Sequence, residues 1–127
     1  GVMGLSAGGH LAGCAGTMWN KPEIYRPLKK KSAAFRPDGM VLGYPVVSSG
    51  EFAHRASFVN LLGDRYEELL ETASLEKQVK KQSPPAFLWH TADDTSVPVE
   101  NTFLLEKALQ AKKIPVETHF YPPGRHG

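Results

Sequence analysis

Cysteine is almost missing from this 127-residue chain, Cys14 being the only one. One thiol cannot close an intrachain bridge, which excludes a disulfide-stapled secreted scaffold. An excess of one charge is missing too. Fifteen basic and thirteen acidic residues leave a net charge of +2, far below what electrostatic binding of nucleic acid demands. No Cys/His cluster has metal-site spacing, so metal-free chemistry without a cofactor is expected. No G-x-G-x-x-G marks a dinucleotide loop. Gly4 and Gly9 have Walker spacing, but His10-Leu11 stands where a lysine and a hydroxyl residue would hold phosphate and magnesium. Internal repeats and low-complexity tracts are absent.

Residues 1–20 carry no formal charge, and Gly4-x-x-x-Gly8 and Gly9-x-x-x-Gly13 mimic membrane helix pairs. Six glycines, Ser6, His10 and Asn20 nevertheless leave this stretch far less apolar than a spanning segment needs. No stretch joins a basic n-region to an apolar core, so no secretion signal is visible and a soluble, cytoplasmic protein is expected. What is present is enough for a core. Leu, Ile, Val and Phe make up just under a quarter of the chain, too many for a disordered tail, and the length suits one domain.

The order of elements reads as α/β. Gly1–Leu5 is the tail of a strand and residues 7–20 a helix, with Gly9, Gly13 and Gly16 on one face. Each interior glycine costs about 1 kcal/mol of helix propensity relative to alanine, which makes sense if that face lies very close to a sheet. Lys21–Lys31 is a basic connection whose Lys29-Lys30-Lys31 run is a solvated loop. Arg36-Pro37-Asp38-Gly39 signals a turn before an apolar strand over 40–47. Residues 49–84 form a polar, helix-rich excursion, with helices over 56–62 (ended by Gly63), 65–72 (capped by Asp64) and 74–80. Ala86–His90 is the next strand. Pro98 opens a helix to Lys112 with Phe103, Leu104, Ala108 and Ala111 among its apolar positions. Val116–Tyr121 is the last strand. This rhythm predicts a parallel sheet with helices on both faces.

Gly4-Leu5-Ser6-Ala7-Gly8 is G-x-S-x-G at a strand-to-helix turn. There the serine backbone is strained, and Gly4 and Gly8 remove side chains that would collide. The hydroxyl projects from the sheet, and the helix N-terminus, the Ala7 amide first, faces the place where an oxyanion would form. The bland alternative is a serine that only caps a helix. A nucleophilic serine needs a base and the base an orienting acid. The loop after the third strand offers Asp93 and Asp94, and His126 lies in the loop after the last strand. The order Ser…Asp…His places all three at the carboxyl ends of neighbouring strands. Of the other histidines, His10 is expected to bond locally, His90 to order the acidic loop, and His119 to point away from Thr118 and Phe120. Cys14 reads as a small core residue.

The segments 4–12 (GLSAGGHLA), 90–98 (HTADDTSVP) and 124–127 (GRHG), with 19–23 (WNKPE) and 49–54 (SGEFAH), resemble the α/β-hydrolase superfamily. Within it they are most similar to bacterial acetylxylan-esterase-like enzymes. The resemblance covers essentially the whole chain and implies a partial α/β-hydrolase fold. Its D-x-x-V-P pattern selects Asp94 over Asp93 as the acid, leaving Asp93 a loop-surface or capping carboxylate. It implies Ser6 as nucleophile, His126 as base and Ala7 as oxyanion donor, acting on a small-molecule ester such as an acetylated sugar. Residues 49–84 would arch over the site, with Phe52, His54 and Phe58 as candidate substrate contacts. Amide or peptide hydrolysis on the same fold and a catalytically inactive binding protein are the alternatives. The family places strands and a His-Gly-Gly loop before the elbow. Residues 1–127 are therefore expected to be the carboxyl-terminal portion of one larger domain, with an unpaired apolar sheet edge and little activity alone.

Overall fold

Four short apolar runs form one parallel sheet in the computed structural model, which describes all of residues 1–127. The strands are β1 (Val2–Leu5), β2 (Met40–Gly43), β3 (Ala86–Thr91) and β4 (Val116–Tyr121), side by side in that order. Leu5 pairs with Gly43, Gly43 with Trp89 and Trp89 with His119. The carboxyl ends therefore share one rim, and every loop that leaves it can contribute to a common site.

The helices are α1 (Ala7–Met18), α2 (Pro22–Tyr25), α3 (Arg55–Leu62), α4 (Tyr66–Leu69) and α5 (Glu100–Ala111). Alternation along the strands turns Met40, Leu42 and Leu88 to one face, where they pack with Ala12 and Met18 of α1 and Leu105 and Leu109 of α5. The parallel α/β plan is the one read from the sequence, but the two helices packed on the sheet share a single face where both faces were expected to be covered. Met3 and Leu5, which point the other way, remain 66% and 42% exposed. A second, smaller core of Val46, Phe58, Ala73 and Val97 lies under the excursion.

The glycine face of α1 has the expected cause. A methyl group on Gly9 would stand 2.9 Å from Pro45 Cβ, one on Gly16 would stand 2.7 Å from Met40 Sδ, and one on Gly13 would strike Leu75. The helix can therefore approach the sheet and the loop after β2 only without side chains there.

Several boundaries differ from expectation. β2 ends at Gly43, because Tyr44 takes φ 36° and Pro45 has no amide hydrogen to continue the ladder. α4 is one turn long and lacks a side-chain cap, since Asp64 sits inside a 3-10 turn; residues 75–77 are likewise a 3-10 turn. The connection before β2 holds α2 and two 3-10 turns. α5 begins at Glu100, past Pro98, and its buried stripe is Asn101, Thr102, Leu105 and Leu109. Phe103 is instead half exposed and stacks on Phe120, ring centroids 4.2 Å apart.

Candidate active site

β1 delivers the chain to Ser6, whose φ of 54° and ψ of −120° lie where non-glycine residues are rarely found. Three backbone bonds hold it there. Its amide donates to Gly43 O (3.0 Å), and its carbonyl accepts from His10 N (3.2 Å) and Val46 N (3.1 Å). Gly4 is indispensable to this turn, because a Cβ on it would run into the carbonyl of Gly8. Gly8 is different: a Cβ there would meet nothing within 4 Å, so the expected collision exists on one side of the serine only. Ala7 is the first residue of α1, and its amide has no acceptor within the helix.

The loops after β3 and β4 bring Asp94 and His126 to this point. Ser6 Oγ lies 2.8 Å from His126 Nε2, and His126 Nδ1 lies 2.6 Å from Asp94 Oδ2. With Nδ1 carrying its proton to the carboxylate, Nε2 is free to accept the serine hydroxyl. The imidazole keeps 24% of its surface open, while the Asp94 carboxylate has none. Asp94 Oδ1 accepts the amides of Ser96 and Val97, each at 2.9 Å. Burial pushes the Asp94 carboxyl up, but the bond from His126 and those two amides together outweigh it and hold it below the ordinary aspartate range.

His90 does order the acidic loop. Its Nε2 faces two acceptors, Val97 O at 2.9 Å and Asp94 Oδ2 at 3.1 Å, so Nε2 carries the hydrogen and Nδ1 accepts the Thr102 hydroxyl at 2.7 Å. Burial keeps its pKa below the usual histidine value despite the nearby carboxylate. His10 has the expected local partner, Cys14 one turn along α1, and a distant one as well. Its Nε2 donates to Ala73 O, 63 residues away, at 2.6 Å, and Cys14 Sγ lies 3.7 Å from its Nδ1. Burial lowers the His10 pKa and lifts the Cys14 thiol to about 11, leaving both groups neutral at pH 7. His119 lies beside Phe87 and donates to Glu117 Oε1.

Asp93 stands apart from the Asp94–His126 pair. Its Oδ1 accepts Gly124 N at 2.9 Å and Arg125 N at 3.3 Å, a capping arrangement on the loop that carries His126. Three further residues escaped sequence reasoning. Tyr44 sets its ring edge-on to His126, centroids 4.8 Å apart, and the Thr91 hydroxyl donates to Arg125 O at 2.7 Å. Buried Asn101 accepts Val47 N and Ser48 N at 3.0 and 2.9 Å and donates to Phe52 O and Pro98 O. No motif marks Thr91 or Asn101. Gly43-Tyr44-Pro45 at a strand end was a turn signal that could have drawn attention to Tyr44.

A cleft of about 450 Å³ opens beside the elbow, bounded by Ala7, Leu11, Val46, Ser57, Phe58 and Leu61, among others. Of the three candidate substrate contacts, Phe58 lines it while Phe52 and His54 do not. His54 instead pairs with Ser57 Oγ at 2.7 Å, at the start of α3. Neither this cleft nor a larger hollow of about 570 Å³ along β1 and α1 is lined by Ser6, Asp94 or His126, but only the cleft includes Ala7, the residue next to Ser6.

Comparison with known proteins bears on the family and the fold. The family model BD-FAE matches residues 1–109. Endo-1,4-beta-xylanase B of Butyrivibrio fibrisolvens is 42% identical over 127 residues, and the match takes in 99% of this chain and 20% of that protein. An acetylxylan esterase of Xylanibacter ruminicola is 33% identical, with 100% of this chain and 25% of that protein covered. Among solved structures, an acetyl ester-xyloside bifunctional hydrolase from Caldicellulosiruptor lactoaceticus superposes with a TM-score of 0.86 at 47% identity, over 100% of this chain and 47% of that one. The chain thus spans a fifth to a quarter of these curated relatives and just under half of the solved neighbour. It belongs to the BD-FAE family and has the parallel sheet with packed helices of the α/β hydrolases.

Proposed function

We propose that this chain supplies the nucleophile, base and acid of an enzyme that hydrolyses carboxylic esters, with short acyl esters of sugars as substrates. The observation that carries the proposal is the unbroken hydrogen-bonded series Ser6–His126–Asp94, assembled from three loops at one sheet rim. The names of the relatives, an acetylxylan esterase and an acetyl ester-xyloside hydrolase, favour an ester over an amide and a sugar as the alcohol.

In this reading Ser6 Oγ attacks the ester carbonyl carbon as its proton passes to His126 Nε2. The carbonyl oxygen becomes an oxyanion beside the Ala7 amide, a donor already directed by the start of α1. Asp94 holds Nδ1–H and stabilises the imidazolium. The tetrahedral adduct collapses, the ester C–O bond breaks, and Nε2–H protonates the departing alkoxide to give the free alcohol and an acyl-Ser6. Water then attacks the acyl carbon while giving a proton to Nε2. The second adduct releases the carboxylic acid and returns the proton to Ser6. The cleft beside Ala7 takes the substrate, with Phe58 as an apolar wall and Ser57 as a polar lip.

The test assays the intact protein in parallel on acetylated xylosides, N-formyl aryl amines and proline peptides, together with Ser6→Ala. Acetyl ester cleavage that disappears with Ser6→Ala is the expected result. Preference for the amides, or undiminished ester turnover by Ser6→Ala, overturns the proposal.

A further inference from the structure

Asp93 and Thr91 meet the loop that carries His126 from the other side of the acidic turn. Pairing of Thr91 with Tyr121, continued by the bond from Ala92 N to Tyr121 O at 3.0 Å, starts the two loops side by side. Beyond that point the later loop has no ladder to hold it. It is held instead by three bonds to two side chains. Asp93 Oδ1 receives Gly124 N (2.9 Å) and Arg125 N (3.3 Å), and the Thr91 hydroxyl donates to Arg125 O (2.7 Å).

The fit around Gly124 is close, since a Cβ there would lie 3.1 Å from the Thr91 methyl group. Arg125 is held at φ 57°, in the left-handed region, immediately before the base. Arginine does not favour that conformation, so something must maintain it, and both polar groups of its peptide backbone are occupied by Asp93 and Thr91.

We infer that Thr91 and Asp93 are positioning residues, a clamp on the backbone of Gly124 and Arg125 that fixes His126 between Ser6 and Asp94. The inference rests on the catalytic reading above. Neither residue touches the reacting atoms, and their effect runs through the imidazole. Displacing a reacting group by about 1 Å can cost on the order of 100-fold in rate, so loosening the clamp should lower kcat while leaving substrate binding in the separate cleft largely intact. What Asp93 contributes is an acceptor oxygen, and asparagine retains one. Asp93→Asn should thus keep much of the function that Asp93→Ala loses. The same logic separates Thr91→Ser, which keeps the hydroxyl, from Thr91→Val, which keeps only the shape.

The experiment measures kcat and KM for p-nitrophenyl acetate on the intact protein and these four variants. Sites are counted by fluorophosphonate labelling of Ser6 carried to completion. The expected result is a fall in kcat per labelled site of roughly 10- to 100-fold for Asp93→Ala and Thr91→Val, with KM changed less than about threefold. Asp93→Asn and Thr91→Ser should recover most of the loss. A role confined to stability would lower the melting temperature and leave kcat per labelled site unmoved, which overturns the inference. So does an Asp93→Asn variant as impaired as Asp93→Ala. Should Asp93→Ala fail to fold, the Thr91→Val and Thr91→Ser pair decides. A Ser6→Ala control that is inactive and unlabelled beside normal clamp variants removes the clamp alone, whereas an active Ser6→Ala removes the catalytic reading with it.

Discussion

Asp93 and Asp94 are adjacent in sequence yet their carboxylates face different partners: Asp94 Oδ2 meets the imidazole of His126 at 2.6 Å, and Asp93 Oδ1 meets the backbone of Gly124 at 2.9 Å. One orients a ring and the other holds a loop. Replacing Asp94 by asparagine preserves the shape but removes the charge that orients Nδ1–H, and a neutral amide can drive the wrong tautomer. We expect Asp94→Asn to lower kcat by about 10⁴-fold, while Asp93→Asn stays within about one order of magnitude of wild type. Steady-state kinetics on the two amide variants checks this, and a reversed ranking would make Asp93 the acid.

Acid sensitivity should begin above the carboxylate range. Burial lowers the pKa of both His10 and His90 from the ordinary 6.5. The unfolded chain then binds protons that the folded one refuses, so stability is full above pH 6.5 and falls as pH drops toward the folded pKa values. Each ring contributes at most about 1.4 kcal/mol per pH unit in that window. Asp94, whose folded pKa is lowered from 3.8, adds a further loss only as pH falls below that value. Urea midpoints measured from about pH 7 to 5 should decline, and more gently in His10→Gln, which keeps a donor for Ala73 O. A flat wild-type profile over that range would contradict the assignment.

The two glycines of the elbow should behave oppositely. Gly4→Ala drives a methyl group into the Gly8 carbonyl, so fluorophosphonate labelling of Ser6 should be lost and stability reduced by several kcal/mol, ~3 or more. Gly8→Ala meets open space and gains helix propensity, about 1 kcal/mol. Melting temperatures of the two variants should lie on opposite sides of the wild type.

Asn101 ties the chain after β2 to the first turn of α5, using all of its polar atoms in the interior. Asn101→Ala would strand two buried amides, at about 1–3 kcal/mol each. Chemical denaturation should show a loss of about 2–5 kcal/mol, whereas an effect below about 0.5 kcal/mol would mean that water replaces the side chain.

Much of this is legible in the amino-acid sequence alone. Strand positions followed from apolar runs bounded by Gly and Pro, and the close approach of α1 from Gly9, Gly13 and Gly16. The sharp turn at Ser6 was visible because G-x-S-x-G stood between a strand and a helix, and the meeting of Ser6, Asp94 and His126 because their loops followed strands that a parallel sheet must align. What stayed hidden depends on tertiary pairing. His10 finds its acceptor 63 residues away, and no local pattern encodes that. The buried stripe of α5 includes Asn101 and Thr102, polar residues that a hydrophobic pattern assigns to solvent. Tyr44 and Arg125 take positive φ because their neighbours require it, against their own preference. Covering of one sheet face alone was likewise invisible, since half-buried strands such as β3 read as apolar on both sides.

If Ser6 is the nucleophile, it becomes covalently acylated during turnover. The direct measurement mixes the intact protein with p-nitrophenyl acetate, quenches it in acid within milliseconds and determines the mass of the peptide containing Ser6. Wild type should carry an added acetyl group on Ser6, with its accumulation abolished in His126→Ala and none present in Ser6→Ala. Acetate release without any acetyl group on Ser6, or with the group on another residue, would contradict Ser6 as the nucleophile.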